Sequence, residues 1–317
     1  MPEAIMQRTY GKSNVLNIEK IYVNDPADDE ILIKQTAIGI HFHDVYVRTG
    51  LYKTLNLPGI PGIEVGSFVS PKAVPAMVGA KEIIQALNDI ESCDLSVLVP
   101  NMKGYELAIE AGAKMIAVVP SATETMNQKN INMSLEDTIN NSCEILRAAK
   151  NNCNTRAYVS VAWECPYEGI VNETHVISIA EKLLSAGANE LIFADTIGAA
   201  NPSSVKSLLS KCVSEFGATN ISAHFHDTRA LALANVCAAL ETGVRKFDAC
   251  IGGLGGCPFA PGAAGNLATE DVCNMLEQMG FKTNIDLDDL NAIVDMCSSD
   301  FDLNLGGRMT PWLRKSN

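Results

Sequence analysis

The chain has 317 residues, and 47% of them are hydrophobic, which is enough to bury a large core. Its formal net charge of −13 argues against nucleic acid and against an anionic membrane surface as partners. Ten cysteines show no C-x-x-C spacing and several sit in apolar patterns, so no disulfide framework is expected, and a reducing, cytoplasmic compartment is. No apolar run approaches the ~20 residues of a membrane span. Residues 1–10 lack the apolar centre of a signal peptide.

Residues 1–62 read as a small β-rich piece. Segments 14–23 and 30–40 are short strand patterns, and Arg48-Thr49-Gly50 and Pro58-Gly59-Ile60-Pro61-Gly62 are turn signals. From 63 onward, strand and helix patterns alternate. Apolar strand runs fall at 63–65, 95–99, 115–119, 157–162, 191–194, 221–225 and 247–251. Helix-period segments at 104–111, 134–151, 174–186, 203–216, 231–242 and 272–279 separate or follow them, with one more at 286–302. Repeated βα units imply a parallel sheet. Seven such strands approach the eight of a closed (β/α) barrel, and the expected fold is a (β/α)8 TIM-type barrel whose first strand is missing or substituted.

A (β/α) barrel places its chemistry at the C-terminal ends of its strands. Polar residues gather there. Ser67 follows the first run, Asn101 the second, Ser121 and Thr123 the third, and Trp163-Glu164 the fourth. Asp195-Thr196 follow the fifth, and His224 and His226 end the sixth. After the seventh comes a glycine-rich loop, Gly252-Gly253-Leu254-Gly255-Gly256-Cys257-Pro258-Phe259-Ala260-Pro261-Gly262-Ala263-Ala264-Gly265-Asn266. Glycine costs backbone entropy to order, so a long ordered loop of this composition points to function rather than packing.

His224-x-His226 on a strand sets both imidazoles on one face, which suits a divalent metal as well as two hydrogen-bonded core histidines. Asn266 reads either as a neutral oxygen ligand or as a helix N-cap. Cys257 reads either as a proton donor, its thiol being protonated at neutral pH, or as a small residue fitting a tight loop. Asp195 reads either as a residue orienting a histidine or a substrate hydroxyl, or as an N-cap.

Residues 62–317 resemble the 3-hydroxy-3-methylglutaryl-CoA lyase family. Carrying the resemblance are Ile63-Glu64-Val65-Gly66-Ser67-Phe68-Val69-Ser70-Pro71-Lys72, Val99-Pro100-Asn101-Met102-Lys103-Gly104, Cys165-Pro166-Tyr167-Glu168-Gly169, Ala194-Asp195-Thr196-Ile197-Gly198, His224-Phe225-His226-Asp227-Thr228 and the glycine loop. It implies a metal-dependent carbon–carbon lyase that cleaves the acyl-CoA substrate to acetyl-CoA and acetoacetate. It also implies a divalent cation, Mg²⁺ or Mn²⁺, on His224, His226 and Asn266. Cys257, Asp195 and Glu64 would be the catalytic residues, and Ser67, Asn101 and Thr123 would line the substrate. A homodimer is the expected assembly. The family opens with a strand carrying an Arg-Asp pair, and no Arg-Asp pair occurs in this sequence. That absence sets the alternatives, a non-catalytic CoA- or metal-binding remnant or a related metal-dependent aldolase. Residues 1–62 resemble instead the start of an NADPH-dependent quinone oxidoreductase, through Tyr10-Gly11, Ile31-Leu32-Ile33-Lys34 and the stretch 39–52. The glycine-rich nucleotide site of that family is absent, so no reductase activity is expected.

Overall fold

The computed structural model describes residues 3–7, 16–20, 67–68, 80–87, 96–255, 265–283, 285–301 and 303–316. Strands β1 (Glu3–Gln7) and β2 (Leu16–Lys20) pair antiparallel as a sheet of their own. Next come α1 (Ala80–Leu87), β3 (Ser96–Leu98), α2 (Met102–Ala111), β4 (Met115–Val118), α3 (Glu124–Ile131), α4 (Leu135–Ala149) and β5 (Asn154–Val159). A short hairpin, β6 (Glu164–Cys165) and β7 (Gly169–Ile170), precedes α5 (Glu173–Ala186) and β8 (Glu190–Asp195). The chain continues with α6 (Pro202–Phe216), β9 (Ile221–Phe225), α7 (Ala232–Glu241), β10 (Phe247–Asp248), α8 (Thr269–Gln278), α9 (Leu287–Phe301) and α10 (Thr310–Ser316).

Local chemistry explains where the helices start and stop. Asn201 caps α6 by accepting the N–H groups of Ser203 and Ser204, while the Ser204 side chain is hydrogen-bonded back to the cap, with Pro202 in the first turn. Its buried residues, Val205, Leu208, Leu209, Cys212 and Phe216, follow the helical period and form one stripe. Ser134 caps α4 through the N–H of Asp137, and Asn172 caps α5 through that of Thr174. Helix α5 then ends at Gly187, whose φ of 114° is accessible to glycine at little cost.

Six strands form one parallel sheet in the order β10-β9-β8-β5-β4-β3. Ser67 bridges Leu98 in parallel and continues the sheet beyond β3. One face buries Ile116, Val118, Ala157, Val159, Leu191, Phe193, Ile221, Ala223 and Phe225 in a core shared with the helices. The other face carries Arg156, Tyr158, Glu190, Ser222, His224 and Asp248. Arg156 on β5 donates to Asp248 on β10 at 2.8 Å, and Tyr158 donates to the same carboxylate at 2.6 Å. A flat sheet would hold those two strands about 14 Å apart, three ladder spacings. The sheet is therefore curled, with the polar face inward, as in a (β/α)8 TIM-type barrel.

The expected strand at 157–162 starts earlier and stops at Val159. Two residues on, Val161 has a φ of 51°, a strained conformation for a β-branched residue, and its N–H donates to Thr196 Oγ1 at 2.9 Å. This turn ends the strand at the barrel mouth. The hairpin β6–β7 was not anticipated, being too short for an alternating pattern to register. The expected strands at 30–40 and 63–65, and the boundary at 62, lie outside the described residues.

Arg156 pairs with both Glu190 and Asp248, at 3.3 and 2.8 Å. Removing one partner of such a half-buried cluster leaves charge uncompensated. Arg156→Met is expected to lower unfolding stability by about 1–3 kcal/mol in a urea titration at neutral pH. An unchanged midpoint would show that the network does not hold the sheet together.

Candidate active site

The candidate site sits at the C-terminal end of the sheet. His224, near the end of β9, and His226, just beyond it, lie on one face, with ring centroids 5.2 Å apart. The chain returns to them after the glycine loop. His226 and Asn266 form an antiparallel bridge, and Leu267 N–H donates to Phe225 O at 2.9 Å. Opposed residues of such a bridge project to the same side. His224, His226 and Asn266 are thereby brought together from opposite ends of the loop.

The close approach depends on missing side chains. Gly255 has a φ of 97°, and a Cβ there would collide with the Asn266 amide nitrogen. A Cβ on Gly265 would collide with the Gly253 carbonyl. Helix α8 starts at an N-cap of Ala268 that makes no side-chain bond, so Asn266 is not the N-cap.

The Asn266 amide is oriented by its own bonds. Its Nδ2 donates to Leu254 O at 2.9 Å and to Cys250 Sγ at 3.2 Å. Its Oδ1 is buried and has no hydrogen-bond partner among the described residues. Leaving a buried carbonyl oxygen unpaired costs free energy, so an orphaned oxygen beside two imidazoles suits a cation. Among the described residues, no three His, Cys, Asp or Glu side chains converge on a metal position. The third candidate ligand is an amide rather than one of those four types.

Asp195 is almost fully buried and does not cap a helix. Its carboxylate accepts the N–H groups of Ala199 and Ala200, at 2.8 and 3.1 Å, in the loop before α6. Burial raises its pKa to about 6, and those two N–H groups oppose the rise. Ser67 is buried beside β3, its hydroxyl donating to Leu98 O at 3.3 Å. Asn101 is exposed, and its side-chain oxygen accepts Gly104 N–H as the N-cap of α2. Thr123 is buried, and its hydroxyl lies 3.1 Å from Cys165 Sγ. Cys257 and Glu64 lie outside the described residues.

Two groups of residues that build the site escaped the sequence reading. The first is the inner-face cluster of Arg156, Tyr158, Glu190 and Asp248. Its only sequence signal is charge at alternating positions within otherwise apolar strands. The second is Glu270 and Asp271 in the first turn of α8, both buried. Glu270 accepts the N–H groups of Gly252 and Gly307, and Asp271 those of Arg308 and Met309. These two carboxylates tie the start of the glycine loop to the segment before α10. The favourable field at a helix N-terminus supports negative charge there.

A curled parallel βα sheet with polar side chains gathered at the C-terminal ends of its strands defines the enzymes of the (β/α) barrel class. The HMGL-like family model matches residues 34–297. The hydroxymethylglutaryl-CoA lyase of Bacillus subtilis is 45% identical over 237 residues, 74% of this chain and 79% of its own length. The mitochondrial hydroxymethylglutaryl-CoA lyase of Homo sapiens is 41% identical over 77% of this chain and 75% of its length. The solved Bacillus subtilis lyase aligns with a TM-score of 0.74 at 42% identity, covering 78% of this chain and 84% of that one. An HMG-CoA lyase from A. baumannii, solved with coenzyme A and 3-methylmalate, aligns with a TM-score of 0.76 at 36% identity over 86% and 88%. The chain belongs to the HMGL-like family, among the hydroxymethylglutaryl-CoA lyases.

Gly255→Ala is expected to push the Asn266 amide aside and to weaken Mn²⁺ binding about tenfold or more in an isothermal titration, with the fold retained. Asp195 tests the burial argument. Its ionised form is disfavoured in the folded state, so native stability falls as pH rises from its ordinary value of 3.8 to about 6. Asp195→Asn removes that ionisation. From about pH 4 to about pH 7, the stability of the native chain relative to the variant should fall by about 3 kcal/mol. A difference that stays flat with pH would contradict the raised pKa.

Proposed function

We propose that this chain cleaves 3-hydroxy-3-methylglutaryl-CoA to acetyl-CoA and acetoacetate. The orphaned Oδ1 of Asn266, set on one face with His224 and His226, carries the reading. Those three residues would hold a divalent cation, Mg²⁺ or Mn²⁺, which when bound anchors and polarises the oxygens of the substrate's hydroxyl and carboxylate groups.

The chain's own residues account for the rest. A base takes the proton of the tertiary hydroxyl, the oxygen's electron pair forms the ketone carbonyl of acetoacetate, the adjacent C–C bond breaks, and its electron pair passes to an acetyl-CoA enolate. Cys257 delivers the proton that turns the enolate into acetyl-CoA, a role suited to a thiol that keeps its proton near pH 7. Asp195 holds the loop behind β8 against the mouth, and Gly198 lets that loop lie on the carbonyl of His226. Ser67 and Thr123 would contact the substrate from the β3–β4 side, with Glu64 three residues before Ser67 supporting the site. The acyl-CoA partner follows from the lyase relatives.

No helix among the described residues is long and apolar enough to cross a membrane. Cys143, Cys153, Cys165, Cys212, Cys237, Cys250 and Cys273 form no disulfide, which favours a reducing, cytoplasmic compartment. Burial pushes the Cys212 thiol up to about 12 and the Cys273 thiol to about 11, which makes both poor nucleophiles. A homodimer is part of the same proposal.

Acetoacetate release from 3-hydroxy-3-methylglutaryl-CoA, measured with Mn²⁺ and with chelator, tests the reading. Turnover should require the cation and fall at least about a hundredfold in Cys257→Ala. A folded, Mn²⁺-binding chain without turnover would leave the non-catalytic reading in its place.

A further inference from the structure

The His224 ring is held from behind. Its Nδ1 lies 3.2 Å from Asp248 Oδ2. Asp248 also accepts Arg156 Nη2 at 2.8 Å and Tyr158 Oη at 2.6 Å, and Tyr158 meets the His224 ring edge-on, with centroids 6.2 Å apart. Asp248 is paired with the Arg156 guanidinium and accepts from the Tyr158 hydroxyl, the bonding pattern of an ionised carboxylate. An ionised carboxylate can only accept hydrogen bonds. The proton of that contact therefore sits on His224 Nδ1, and in the neutral ring the lone pair is left on Nε2.

We propose that Asp248 is a positioning residue that locks His224 in the Nδ1–H tautomer and so presents Nε2 to a divalent cation, with Arg156 and Tyr158 holding the carboxylate in place. This rests on the metal reading of the site given above. Ligating histidines commonly donate their other ring N–H to a carboxylate, which fixes ring orientation and raises ligand basicity. Here the carboxylate comes from β10, the ring from β9 and the supporting donors from β5. The ligand is thus tied to three strands of the barrel rather than to its own strand.

Asp248→Asn gives a specific expectation. Arg156 reaches Oδ1, whereas Tyr158 and His224 share Oδ2. An amide oxygen that keeps the Arg156 bond therefore puts the amide nitrogen in the Oδ2 position, facing His224 and the Tyr158 hydroxyl, which can turn to accept. Facing a donor, Nδ1 must become the acceptor, and the proton moves to Nε2, the atom the cation needs.

The test reads imidazole tautomers from long-range ¹H–¹⁵N spectra of the metal-free protein, with Mn²⁺ affinity followed by electron paramagnetic resonance. In the wild type, His224 should be the Nδ1–H form. In Asp248→Asn it should switch to Nε2–H, Mn²⁺ affinity should fall about 10–100-fold, and the circular dichroism spectrum should be retained. A purely structural role for Asp248 would lower stability without moving the tautomer. A wild-type His224 found as Nε2–H overturns the proposal, and this result needs no folded variant. Unchanged tautomer and affinity in Asp248→Asn overturn the role of Asp248 alone. A wild type that binds no Mn²⁺ overturns the metal reading and this role with it.

Discussion

The ion pair between Arg156 and Asp248 is the interaction on which the rest of this structure turns. Arg156 on β5 and Glu190 on β8 face each other across adjacent strands, but Asp248 lies on β10, three strands from β5. Arg156 reaches Asp248 only when the sheet curls and brings β10 back toward β5. Isolated charge in a protein interior is expensive, so the curled arrangement is strongly favoured over a flatter one. The same Asp248 carboxylate then meets His224. One cluster thereby closes the fold and orients the site.

The opposite wall of the site is built by absence rather than by charge. Gly255 and Gly265 let backbone and amide groups approach where a methyl group would collide. The result is an asparagine whose nitrogen is satisfied and whose oxygen is not. Glu270 and Asp271 brace this wall from beneath, accepting four backbone N–H groups from segments about 18 to 38 residues away in sequence. The loop that follows β10 is thus anchored at both described ends, with the candidate ligand at its return.

Membership of the HMGL-like family sharpens the question raised by the missing Arg-Asp pair. Arg156 lies on the inner face but is committed to Asp248 and Glu190, and its guanidinium is held more firmly protonated than usual by them, against the effect of its burial. Arg229, in the loop after β9, is paired with Glu164 at 3.1 Å on the surface. Neither stands free to replace the arginine of the family motif. The family match extends back to residue 34, into the segment whose own resemblance is to a different family.

Much was legible in the sequence because period and composition are local properties. Strand β9 falls on its expected residues, and α6 begins within one residue of expectation. A buried parallel strand reads as an apolar run, and an amphipathic helix repeats every 3.6 residues. The pairing of His224 with His226 was legible for the same reason, since alternate residues of a strand share a face. The partners of those residues were not. Whether Asn266 was a ligand or a cap depended on which residue began α8. Whether Asp195 served a helix or a loop depended on where α6 started. Asp248 carried no sequence signal as the partner of His224, because its meaning lies in contacts with Arg156, 92 residues away, and Tyr158, 90 residues away. The sequence by itself determined the repeating βα units, the family and the residue types at each strand end. Only the tertiary structure decided which of those residues meet, because that depends on the curl of the sheet and the return of the glycine loop, and no local periodicity encodes either.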